Sequence, residues 1–258
     1  MKKIFFVALA LLAFAFIGCK KEKVEINSAA DLAGKKIGVQ TGTTGETWVS
    51  ENVENVKLSS FKTGIDAALD LKNGAIDAVV LDELPALEIV SRNSDLKIVR
   101  DPYFADNKEE YAIAVKKGND ELLAAINKTI TTMKDSGQYE ELVNAFMPVD
   151  GNIKIPAFKS EKTDGTVKLG TNAAFPPFGY VEGKNIVGFD ITMGEKIADT
   201  CGAKLEVVDM AFDSLIPALQ ADTIDFIAAG MSVTEERKKN VNFSVPYFAS
   251  EQVIIVRK

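Results

Sequence analysis

The chain alternates short apolar runs with amphipathic stretches and small-residue turns. Lys36-Ile37-Gly38-Val39-Gln40 is an apolar run of strand length, and Thr41-Gly42-Thr43-Thr44-Gly45-Glu46 comes next as a turn that opens a helix. Asp66 to Asn73 reads as a helix containing Ala67, Leu69 and Leu71. After Gly74, the run Ile76 to Leu81 predicts a strand ending at Asp82, and Tyr111 to Val115 predicts another. Asn119 caps an amphipathic helix with Leu122, Leu123, Ile126, Ile130 and Met133 on one face. Gly137 stops that helix, and a shorter one runs to Phe146.

The pattern then breaks. Residues 148–166 carry Pro, Gly, Asp and Lys without periodicity and read as a linker. A second strand–helix segment begins at Val167-Lys168-Leu169-Gly170 and echoes the first. Ser214 to Gln220 reads as a helix feeding Thr223-Ile224-Asp225-Phe226-Ile227-Ala228-Ala229-Gly230, much as a helix feeds Gly74-Ala75-Ile76-Asp77-Ala78-Val79-Val80. Alternating strands and helices predict mainly parallel sheets, and two such segments predict two similar α/β lobes sharing a cleft.

The start of the chain is different in kind. Met1-Lys2-Lys3 precedes an apolar run from Ile4 to Ile17, shorter than the roughly 20 residues a membrane-spanning helix needs, so it reads as a secretion signal. It ends at Gly18-Cys19, in the manner of a bacterial lipobox, which predicts a lipidated Cys19. Cys201 sits before Gly202 at a helix end and reads as a small buried hydrophobe.

Composition narrows the chemistry. Of 258 residues, 47% are hydrophobic and 26% charged, which excludes a disordered chain. With no histidine there is no Ser-His-Asp triad and no His-ligated metal, and two cysteines make no disulfide scaffold. The net charge of −7 argues against a nucleic-acid partner. No cofactor or metal is expected.

Four constellations can carry chemistry. Gly230-Met231-Ser232-Val233-Thr234-Glu235-Glu236-Arg237 turns from a strand into a helix; its free N–H groups and Arg237 suit an anion, or it is a plain cap with Arg237 on a solvated face. The turn from Gln40 through Thr43 and Thr44 presents N–H groups or simply caps a helix. Asp82 ends an apolar strand, where ligands bind in open α/β sheets, or is a helix N-cap. Phe175-Pro176-Pro177-Phe178 and Phe212 form rigid pocket walls or core.

These residues resemble a known family. Gly170-Thr171-Asn172-Ala173-Ala174-Phe175-Pro176-Pro177-Phe178, Val187-Gly188-Phe189-Asp190, Phe212 to Gln220 and Ala229 to Ser244 resemble extracytoplasmic solute-binding proteins of the polar amino-acid ABC importers (family 3). Ala30 to Gln40, Ile76-Asp77-Ala78-Val79 and Ser136-Gly137-Gln138-Tyr139 resemble the family's second lobe. The halves stand in the reverse of the family's order, which implies a circular permutation.

The resemblance implies a two-lobed type II periplasmic-binding fold. The layout is a signal peptide over 1–18 and a lipid tether over 19–26. One lobe spans 27–109 with 254–258, and the other 116–147 with 167–250. Hinge strands lie at 110–115 and 251–253, and 148–166 joins the family's usual termini. Arg237 would hold a ligand α-carboxylate with N–H groups near Ser232 and Thr44. Asp82 would take the α-ammonium with the Gly230 carbonyl and the Ser232 hydroxyl. Phe175 and Phe212 would sandwich the side chain, faced by Asn172, Gln40 and Thr43. Asn172 stands where many members have Asp, and the implied ligand is polar or basic: arginine, lysine, histidine or glutamine. The implied partners are ABC permease subunits and, through Cys19, an extracytoplasmic membrane face. The implied state is a monomer, with a swapped dimer as the alternative. The competing readings are a cyclohexadienyl dehydratase-like enzyme using Glu46 and Asp82, and a non-transporting amino-acid sensor.

Overall fold

A computed structural model describes residues 25–148, 152–158, 160–162 and 164–258. The predicted signal, Cys19 and the tether as far as residue 24 lie outside the described residues; Ile26, expected at the tether's end, is instead packed in a core cluster with Leu32 and Val256, because an apolar side chain there finds a buried place. The chain runs β1 (Lys36–Gln40), α1 (Thr44–Asn52), β2 (Lys57–Phe61), α2 (Gly64–Lys72), β3 (Ala78–Asp82), α3 (Glu83–Ser91), β4 (Leu96–Val99) and α4 (Pro102–Asp106). Next come β5 (Glu109–Tyr111), β6 (Ala114–Lys116), α5 (Asp120–Asp135) and α6 (Gln138–Phe146). Beyond the linker region lie β7 (Thr166–Thr171), β8 (Ala174–Phe175), β9 (Gly179–Glu182), β10 (Asn185–Val187), α7 (Phe189–Thr200) and β11 (Lys204–Asp209). The last elements are α8 (Leu215–Gln220), β12 (Phe226–Ile227), α9 (Glu235–Lys238), β13 (Val241–Phe243), β14 (Phe248–Ser250) and β15 (Gln252–Arg257).

Two five-stranded sheets have one topology. The first is ordered β2-β1-β3-β15-β4 and the second β11-β7-β12-β6-β13. In each, three consecutive parallel strands are followed by one antiparallel strand and a fifth that pairs antiparallel to it. The antiparallel strand, β15 or β6, is the one that arrives from beside the other sheet. The crossing is made by β5 and β14, paired antiparallel with Tyr111 opposite Phe248 and Glu109 opposite Ser250.

The apolar strands are explained by burial on both faces. Along β3, Val79 and Leu81 join one core cluster while Ala78 and Val80 join another, and β15 divides in the same way between Val253/Ile255 and Ile254/Val256. Helix α5 buries Ile126, Ile130 and Met133 along one stripe and is capped by the Asn119 side chain, which accepts from the Leu122 amide.

Several sequence-based boundaries shift for identifiable reasons. Helix α2 starts at Gly64 because the Thr63 hydroxyl accepts from the Asp66 amide at 3.1 Å. Ala67, Ala68 and Leu71 face inward at helical spacing, whereas Leu69 falls on the opposite face and is 56% exposed. The single strand expected over Tyr111 to Val115 is broken: Ala112 donates to the Met231 carbonyl and Ile113 to the Ser244 hydroxyl, so the chain leaves one ladder before joining the next. Cys201 is exposed, not buried, because it ends α7 as its C-cap before Gly202 in the left-handed region. The crossing strands, 109–111 and 248–250, begin before the ranges expected for a hinge, and Gln252 already belongs to the first sheet.

Candidate functional site

A cleft of about 990 Å³ opens between the sheets, with Thr44, Trp48, Glu109, Phe212, Arg237 and Gln252 in its walls. Asp82 is the last residue of β3. It holds the N-cap position of α3, yet its carboxylate caps nothing there. It accepts instead from the Tyr111 hydroxyl at 2.6 Å and from Gln252 Nε2 at 3.2 Å. Strand pairing explains the second contact, since Gln252 is the register partner of Asp82. Burial raises the Asp82 carboxyl to about 7, helped by the nearby Glu109 charge and opposed by the Tyr111 hydrogen bond. Tyr111 is pushed well above its ordinary value by burial and by Asp82.

The loop Gly230–Thr234 lies along the crossing strand. Val233 donates to the Glu110 carbonyl, and Tyr111 bridges to Ser232. Gly230 has φ +57°, and a Cβ there would stand 2.6 Å from the Phe175 ring, so only glycine fits both the backbone and the contact. The Gly230 amide donates to Asp190 Oδ2 at 2.8 Å. Burial raises Asp190 to about 6.

Thr234 caps α9 by accepting from the Arg237 amide, while Lys238 and Lys239 are exposed. Arg237 does not join them on the solvated face. Its guanidinium donates to the Ser232 carbonyl at 2.7 Å and to the Gly42 carbonyl across the cleft at 2.9 Å, and lies 5.3 Å from the centre of the Phe212 ring. Burial pulls its pKa down, and the Glu109 and Asp82 charges oppose this. Among the described residues it has no carboxylate within 4.0 Å.

The remaining candidates divide. Gln40 and Asn172 meet directly, Gln40 Nε2 donating to Asn172 Oδ1 at 3.1 Å, and Asn172 Nδ2 donates to the Met210 carbonyl. Thr43 spends its hydroxyl locally, donating to the Gln40 carbonyl and capping α1. The Thr44 hydroxyl points the other way, to Glu109 Oε2 at 2.7 Å. Phe175 and Phe212 are buried in different core clusters; Phe175 stacks on Phe178. Three residues were invisible to motif reading: Glu109 and Gln252, which line the cleft, and Tyr111, buried behind it. They come from the crossing strands and the strand just beyond, and no local pattern marks them. Among the described residues, no group of three or more His, Cys, Asp or Glu side chains could hold a metal ion.

Comparison with known proteins gives these residues a context. Residues 167–258 match the bacterial extracellular solute-binding proteins, family 3. The chain is 42% identical over 99 residues to the arginine-binding extracellular protein ArtP of Bacillus subtilis, covering 38% of this chain and 39% of the relative. It is 35% identical over 125 residues to the L-cystine-binding protein TcyJ of Escherichia coli, covering 48% and 46%. A solved structure of the arginine-bound form of domain 1 from TmArgBP is 47% identical, with 36% of this chain and 81% of that one covered and a TM-score of 0.33. The matched stretch thus spans less than half the length of either curated relative.

Proposed function

Because residues 167–258 match the bacterial extracellular solute-binding proteins, family 3, we propose that this chain binds a free polar or basic L-amino acid between its two sheets and delivers it to an ABC-type importer. The mixed α/β architecture, with parallel strands in both sheets, supports a type II solute-binding fold.

The observation that carries the reading is Arg237. Its guanidinium spans the cleft on two carbonyl oxygens, half-buried and without a carboxylate partner among the described residues, while buried Asp82, held by Tyr111 and Gln252, lies near enough for its charge to act on Arg237. A zwitterion supplies both missing charges. Its carboxylate takes the guanidinium fork and the N–H groups near Ser232 and Thr44. Its ammonium takes Asp82, with the Gly230 carbonyl and the Ser232 hydroxyl. Phe175 and Phe212 pack on the side chain, which Asn172, Gln40 and Thr43 face. The lobes close around it by bending where β5 and β14 cross.

The reading extends to the chain's order and location. Ile26 and Val256 share one core cluster, which supports a permutation whose new ends lie together. The segment joining α6 to β7 is held at both ends, by the Lys154 amide on the Ala145 carbonyl and by Ser160 on α7 and the Ala203 carbonyl. We place the protein outside the cytoplasm, anchored by lipid on Cys19. Among the described residues, no helix is long and apolar enough to cross a membrane. The receptor reading gives Glu46 and Asp82 no catalytic role. Thermal-shift measurement against the twenty L-amino acids tests it: at least one raises the melting temperature by mass action, and no shift with any of them overturns it.

A further inference from the structure

Glu109 lines the cleft and belongs to none of the contacts described for the ligand. Its Oε2 accepts from the Thr44 hydroxyl at 2.7 Å and from the Ser232 hydroxyl at 2.5 Å. Thr44 opens the helix beside the first sheet, and Ser232 lies in the loop after β12 of the second. One carboxylate oxygen on the crossing strand therefore touches both halves. Its other oxygen accepts from Gln252 Nε2 at 3.3 Å, and that same nitrogen lies 3.2 Å from Asp82 Oδ1.

Two carboxylates thus share one neutral amide. Among the described residues, neither has a Lys or Arg nitrogen within 4.0 Å. The Gln252 side chain is only 4% exposed, and its Oε1 is buried with no partner. The spot is rich in acceptors and short of donors and of a cation in contact, because the Arg237 guanidinium, whose charge both acids feel, gives its N–H groups to the Ser232 and Gly42 carbonyls. A primary ammonium, with three N–H donors and one positive charge, corrects both shortages.

We propose that Glu109 is a second ammonium-binding acid beside Asp82, which makes this site select ligands bearing a free, protonated primary α-amine. The inference rests on the amino-acid reading and deepens it. Ligands with a carboxylate and the same side chain but no α-amine leave two acids facing each other and are rejected.

The test compares two pairs of probes by calorimetry on the full chain: L-arginine against 5-guanidinopentanoate, and L-glutamine against glutaramate, each second compound lacking only the α-amine. The wild-type chain prefers the amine-bearing member of whichever pair it binds. Glu109→Gln weakens that member by about tenfold or more and leaves the amine-free one unchanged, so the preference shrinks. Glu109→Asp, which keeps the charge, restores part of it. A purely structural Glu109, holding Thr44 and Ser232 together, predicts equal losses for both members of a pair, and that result overturns this proposal alone. Failure of the wild-type chain to bind either amino acid overturns this proposal; failure with all twenty overturns the amino-acid reading as well.

Discussion

Gln40 Nε2 donates to Asn172 Oδ1 at 3.1 Å, joining the last residue of β1 in the first sheet to the residue just after β7 in the second. The bond is buried and links positions 132 residues apart. A buried side-chain hydrogen bond contributes about 1 kcal/mol, enough to bias a two-state hinge roughly fivefold. Asn172→Leu removes it along with the bond to the Met210 carbonyl. We expect the ligand-free chain to open, read as a larger radius of gyration in small-angle scattering, with an unchanged radius arguing against a tie between the sheets.

Arg237 carries the largest expected effect on binding. Arg237→Ala leaves a ligand carboxylate buried without its cation, at a cost of about 2–5 kcal/mol, or roughly thirtyfold to several-thousandfold in Kd. Arg237→Lys keeps the charge but loses the two-pronged geometry and recovers only part of the affinity. Titration calorimetry with the best of the twenty amino acids checks both. Unchanged affinity in the alanine variant removes Arg237 from the site.

Asp82 predicts opposite pH trends for stability and for binding. Its carboxyl is raised to about 7 from an ordinary 3.8, so between those values the folded chain holds a proton the unfolded chain has released. Stability from this group is present below about pH 4 and is lost as pH rises toward 7. Asp190, raised to about 6, acts in the same direction. The ligand-free melting temperature should therefore fall between about pH 4 and pH 7, and Asp82→Asn should flatten the slope. Ammonium binding needs the charged carboxylate, so amino-acid affinity rises over the same range, by at most about tenfold per pH unit, with release of a proton. Calorimetry in buffers of different ionisation enthalpy measures that proton. Its absence, with a flat affinity profile, would place the ammonium elsewhere.

Gly230 is constrained twice, by φ +57° and by the Phe175 ring 2.6 Å from where a Cβ would stand. Gly230→Ala should cost about 1–3 kcal/mol and lower the melting temperature by about 2–4 °C per kcal/mol. Adding Phe175→Ala should relieve the steric share and leave the backbone share. The double mutant would then be more stable than the sum of the two losses implies, and simple additivity would show that the ring and the loop do not meet.

Much of the architecture is written locally. The run Ala78–Leu81 is apolar at every position because neighbouring core clusters cover both faces, and a one-dimensional pattern carries that information. The Thr63, Asn119 and Thr234 caps arise from side chains that reach an amide three residues on. Strand-to-helix turns around Thr44 and Ser232 are legible for the same reason, as is Arg237 within its motif. Interactions between residues close in sequence leave their mark on the sequence itself.

The tertiary structure alone decided how those parts meet. Asp82 could cap α3 or turn away from it, and the tertiary structure decided: β15 beside β3 sets Gln252 opposite, and β5 brings the Tyr111 hydroxyl to 2.6 Å, so the carboxylate caps nothing. Arg237 could lie with Lys238 and Lys239 in solvent, yet the Gly42 carbonyl, 195 residues away, draws it across the cleft. Glu109 carries no motif at all; its position comes from the crossing strand that sets it between Thr44 and Ser232. Helical and strand periodicity report a residue's immediate neighbours. They hold no record of which distant strand arrives beside it, and at this cleft those arrivals set the charges.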